Sequence, residues 1–118
     1  MNRAEFLAAV KGKPTPYTTP SETTVSLRPL SLPERLALFA WHDQHKDDAD
    51  YSQRLREQYF ALGVCNADGD ALFKPEECGT IQISAVDFDA IADEVARRAG
   101  LAAKKGDDPG KDSPATPN

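Results

Sequence analysis

The spacing of hydrophobic and polar positions changes several times along this chain, and each change predicts an element. Val25-Ser-Leu-Arg28 alternates as a half-buried strand does, predicting a strand over 24–28 that Pro29 stops. Ser31-Leu-Pro-Glu34 then supplies a helix start. The Ser31 hydroxyl can accept the Glu34 amide while the Glu34 carboxylate reaches back, and Pro33 falls in the first turn, where amides have no intrahelical partner. Along that helix Leu32, Leu36 and Phe39 form one stripe and predict its core side, while Leu38 and Trp41, with His45, lie nearly opposite. Lys46-Asp-Asp-Ala-Asp50 breaks the helix, and Asp48 or Asp50 caps the next one. Its apolar side is Tyr51, Leu55, Tyr59 and Leu62, with Phe60 off the stripe.

Gly63 then loosens the chain into a hairpin over 63–73, with Val64-Cys65 and Ala71-Leu-Phe73 as strands. The reversal falls on Asn66-Ala-Asp-Gly-Asp70, where Gly69 takes the left-handed backbone. Ser84 caps a last helix that buries Phe88, Ile91, Val95 and Ala99 and ends at Gly100, with Leu101 as the following contact. Asp93–Arg97 and Glu94–Arg98 pair along its wet side. The strand 24–28 and the hairpin 63–73 make the three strands that a small sheet needs. The prediction is therefore an α+β domain over 24–101, mainly helical, with three helices and a short antiparallel sheet. Residues 1–23 are read as a flexible N-terminal arm and linker, and 102–118 as a disordered tail. In the arm, Phe6, Leu7 and Val10 share one side of a short helix, followed by a stretch with Pro14, Pro16 and Pro20 that favours extended, solvated backbone. Two readings of the arm stand: a frayed end, or a tip that docks on this domain, a sister subunit or another partner.

Charge narrows the partners. Residues 25–101 carry eight basic and fourteen acidic side chains, whereas the flanking segments are near neutral. Such a surface repels phosphate, so nucleic acid is not expected as the main partner. No stretch is long and apolar enough for a bilayer, and the first ten residues lack the apolar run of a signal peptide. Cys65 and Cys78 have no metal spacing and read as two reduced thiols of a cytosolic protein. His42 and His45, three apart on a helix, lack an identifiable third ligand. Asn66, Asp68 and Asp70 fail as a calcium loop because Pro75 stands where the twelfth-position glutamate belongs. No nucleophile motif or glycine-rich phosphate loop occurs, so neither catalysis nor a cofactor or metal is expected.

The order of these elements resembles the tail assembly chaperones of long-tailed bacteriophages and related prophages. The similarity runs through Arg3-Ala-Glu-Phe-Leu7, the proline-bearing spacer, and Val25-Ser-Leu-Arg-Pro-Leu-Ser-Leu-Pro-Glu-Arg-Leu36 with its helix pair. It continues through Val64-Cys-Asn-Ala-Asp-Gly-Asp-Ala-Leu-Phe73 and a closing helix at Ala99-Gly-Leu101. The Trp-Gly element common before the first strand is missing. The resemblance implies a non-enzymatic protein of the host cytoplasm, absent from the finished virion. It would bind the tape measure protein and help recruit tail tube subunits. Many members of that family are made in two lengths by ribosomal slippage, for which Ala103-Lys104-Lys105 is the position to inspect here, the alternative being an ordinary Lys-Lys pair in a solvated tail. Leu38 and Trp41, extended by Phe60, are the expected partner-binding residues, unless Trp41 wraps into the core. Phe6 and Leu7 are the residues expected to mediate self-association. A small structural tail component, or an acidic inhibitor of a basic protein, is the competing reading.

Overall fold

Leu27, Phe60, Val64, Cys78, Phe88, Ile91 and Val95 meet in one buried cluster, drawing on both halves of the chain. The computed structural model describes residues 1–101, and both helices and strands deliver these residues. Helix α1 (Arg3–Val10) leads to strands β1 (Thr15–Thr18) and β2 (Thr24–Leu27), then to helices α2 (Leu32–His45) and α3 (Tyr51–Gly63). Strand β3 (Val64–Cys65), a 3-10 helix (Pro75–Thr80) and helix α4 (Ala85–Arg98) follow. The domain is thus α+β, mainly helical, with one antiparallel sheet in the order β1-β2-β3. The predicted disordered tail 102–118, with Ala103-Lys104-Lys105, lies outside the described residues.

The caps form as their chemistry dictates. Ser31 Oγ accepts the Glu34 amide at 3.3 Å, and Glu34 Oε1 accepts the Ser31 amide at 2.9 Å. Ser84 Oγ accepts the Asp87 amide at 3.1 Å to open α4. At the other end of α4, Gly100 has φ 73°, its amide donates to the Arg97 carbonyl, and the Leu101 amide donates to that of Ala96. This paired closure uses the glycine's freedom from a Cβ clash. Asn66 Oδ1 accepts the amides of Asp68 and Asp70, with Gly69 at φ 87°, so the predicted reversal is present. Asp50 precedes α3 without a side-chain cap bond.

The sheet differs from expectation. Its third strand is β1, inside the segment read as a flexible linker, with Thr15 opposite Leu27 and Thr18 opposite Thr24. Two prolines hid it, because Pro16 donates no amide and suits only an edge strand. The hairpin is correspondingly reduced: β3 is two residues long, and Ala71 returns only as a single bridge to Cys65. Helix α4 fastens β1 from behind. Arg98 donates to Thr15 Oγ1 at 2.6 Å and to the Pro16 carbonyl at 3.1 Å. Beyond the far end of β1, the Ser21 amide donates to Asp87 Oδ1 at 3.2 Å, and the Ser21 hydroxyl donates to the same carboxylate. The Ser21 hydroxyl, followed by its amide, holds the Asp87 carboxyl below the ordinary value of 3.8. Gly63 marks a close approach of α3 to α4, since a Cβ there would stand 2.3 Å from Val95 Cγ2.

Candidate functional site

Helix α2 buries one residue, Leu38, 4% exposed. The stripe predicted for the core faces outward instead, with Leu32 68%, Leu36 57% and Phe39 45% exposed. The Arg35 guanidinium lies over the Phe39 ring, 5.5 Å from its centroid. Three attachments hold the helix in this orientation. Arg28, at the end of β2, forks onto the Glu34 carboxylate, with one bond of 3.0 Å, while its own amide donates to the Gly63 carbonyl. Burial is the largest influence on Glu34 and opposes its ionisation, but the hydrogen bonds from Arg28 and Ser31 and the Arg28 charge together outweigh it, so the carboxyl lies below its ordinary value. In the middle, Leu38 enters the space beside α3. At the far end Trp41 lies 4.8 Å from the His45 ring and 5.7 Å from Tyr51, and the Tyr51 hydroxyl hydrogen-bonds Nδ1 of His42.

Between α2 and α3 runs an open groove of about 280 Å³. Leu38, Phe39 and His42 line one side, Leu55 and Tyr59 the other, and Tyr51 and Leu101 its margins. Partial burial raises the Tyr59 hydroxyl pKa, keeping that wall neutral. The space is smaller than the ~300–1,000 Å³ of most small-molecule sites, and suits one or two apolar side chains of a partner. The exposed Leu32–Leu36–Phe39 face adjoins it through Phe39. Together they form an apolar helix face with a recess beside it.

The predicted binding residues are redistributed. Leu38 is buried and packs inward, so it is not part of an exposed face. Phe60 is a core residue, 2% exposed, with its ring 4.9 Å from Phe88 and 5.9 Å from Phe73. The reason is that α3 sits between two helices. Its Leu55–Tyr59 side meets α2, so the off-stripe Phe60 is the one that meets α4. Trp41 is half-buried in its aromatic stack and belongs mainly to the α2–α3 corner. Phe6 and Leu7 stand 53% and 49% exposed, and α1 buries no residue. The outward face of α2 was the reading missed. One signal could have found it. Only a short turn separates Tyr51 from the last turn of α2, so Tyr51 must meet Trp41, His42 or His45, which rotates Leu32 and Leu36 outward.

Other chemistry is quiet. His45 Nδ1 pairs with Asp48 at 2.8 Å. Among the described residues, no group of His, Cys, Asp and Glu is arranged to hold a metal ion. Cys65 and Cys78 are free and buried. Burial first, then Glu57 and its acidic neighbours, push the Cys78 thiol up to about 11, so it is a poor nucleophile. No described helix is long and apolar enough to cross a membrane. In comparisons with family models, curated proteins and solved structures, the chain matches none.

Proposed function

We propose that this chain is a non-enzymatic binding protein that shields an apolar helical segment of a larger partner. The most specific form of the reading is a tail assembly chaperone. In that form the partner is a tape measure protein, tail tube subunits are recruited to the loaded complex, and the work is done in the host cytoplasm without retention in the virion. The observation that carries the reading is the outward face of α2, where Leu32, Leu36 and Phe39 lie at helical spacing beside an apolar groove. Leucines and a phenylalanine in water are unfavourable unless something covers them, and a helix laid into such a groove would do so. The acidic surface of the domain would keep the complex soluble while the partner is unassembled.

The test is to ask whether a long helical reading frame adjoins this gene and, with its product co-expressed, whether that product is captured and kept soluble. Substituting Leu36→Ser and Phe39→Ser together is expected to leave the domain folded, because exposed positions shift stability by only ~0.5 kcal/mol. The loss in binding is expected to be about 2 kcal/mol, roughly thirty-fold in Kd. Trp41→Ala should mainly loosen the α2–α3 corner and lower the melting temperature. Undiminished capture by the folded double variant would reject this face as the partner site.

A further inference from the structure

Among the described residues two apolar helix faces stand uncovered, and their flanking charges are opposite. Helix α1 presents Phe6, Leu7 and Val10 to solvent and buries nothing. Its segment carries Arg3, Lys11 and Lys13 against one acid, Glu5. Helix α2 presents Leu32, Leu36 and Phe39 and leads into Asp43, Asp47 and Asp50, with Lys46 among them, while Asp48 is already paired with His45 and Arg54. The eight residues of α1 span ~12 Å and the interval from Leu32 to Phe39 about the same, so one covers the other along its length. We propose that α1 of one copy docks on the outward face of α2 of a second copy, reciprocally, to form a two-fold dimer.

Polarity selects the second copy over the same chain. Gly12 lies directly on Pro29, so closely that a Cβ would stand 2.1 Å from its ring. That contact pins the basic end of α1 beside the start of its own α2. The acidic corner, from Asp43 in the last turn to Asp47 beyond it, lies at the other end of this fourteen-residue helix, ~16–22 Å away. Folding back onto its own α2 would therefore leave Lys11 and Lys13 far from Asp43 and Asp47. Docked on a second copy with the two helices parallel, the arm puts its lysines at the aspartates and its apolar residues on Leu36 and Phe39. If the two α2 helices run antiparallel, the start of each lies at the end of the other, and both arms engage at once. Such a contact is isologous and closes after two copies.

The proposal rests on the outward face of α2 that the functional reading uses, and makes dimerisation the state from which a partner would displace the arm. It is tested without any partner. Sedimentation of the purified full chain is expected to give a dimer mass at low salt and a shift towards monomer at high salt. Lys11→Glu with Lys13→Glu is expected to halve the mass, and Asp43→Lys with Asp47→Lys added to that chain to restore it. Phe6→Ser with Leu7→Ser is expected to give a folded monomer by circular dichroism, since neither residue packs in the domain. A wild-type monomer, a dimer that survives the Phe6/Leu7 change, or failure of charge-swap rescue would each overturn the proposal. Since the chain is alone in every arm, these outcomes are separate from capture of the long partner.

Discussion

Gly63 carries one of the tightest constraints in this domain. It closes α3 at the point where that helix touches α4, and Val95 fills the space a side chain would need. Val95 is 2% exposed and β-branched, so it has no alternative rotamer to retreat into. Gly63→Ala is expected to destabilise the domain by about 1–3 kcal/mol in urea denaturation, despite the better helix propensity of alanine. Adding Val95→Ala should return part of that loss, because the methyl groups in conflict are then absent. Equal or higher stability of Gly63→Ala would show that the two helices have room to part. The same scale accounts for Cys78, which is packed under α3 with its Sγ 3.8 Å from the Glu57 carbonyl and acts as a small apolar residue.

Among the elements, β1 depends most on another part of the chain. Its outer edge is blunted by Pro16, which has no amide to offer, and by Arg98, which occupies the Pro16 carbonyl. Glu94 orients that arginine, accepting Arg98 Nε at 2.7 Å and Arg97 Nε at 2.8 Å. Arg97 foremost, with Arg98, holds the Glu94 carboxyl down to about 2 from an ordinary value of 4.5. A lowered carboxylate pKa stabilises the fold above the unfolded value and loses that contribution as pH falls through the folded one. Amide protection of Thr15–Thr18 is therefore expected to hold above pH 4.5 and to decline towards pH 2, as read by hydrogen exchange. Protection in β1 that tracks α4 unchanged over this range would remove Glu94 from that role. The capped starts at Ser31 and Ser84 and the closure at Gly100 were legible in the chain, because each is a local contract between side chain and backbone. The face of α2 was not, since Leu32–Leu36–Phe39 and Leu38–Trp41 are both credible stripes and only the position of α3 decides between them. β1 was hidden for a related reason: its partner strand and its clamp are both distant in sequence.

On the scale of the whole molecule, the two ends of the described chain hold each other. Ser21 and Asp87 are separated by 66 positions, and Thr15 and Arg98 by 83. The core repeats the pattern, with Leu27 from β2 packed among Phe88, Ile91 and Val95 of α4. A chain ending before Ser84 is expected to show some helical signal from α2 and α3 but no cooperative thermal transition, because its β strands have nothing to close on. A sharp transition in that truncated chain would mean the first half folds without α4. The clamp from α4 to β1 also sets a clock. At ribosomal speeds of about 5–20 residues per second, the 83 positions from Thr15 to Arg98 take on the order of 4–17 s to synthesise. For that interval Tyr17, Val25 and Leu27 wait without shelter, and the last of the described helices is the one that ends the exposure.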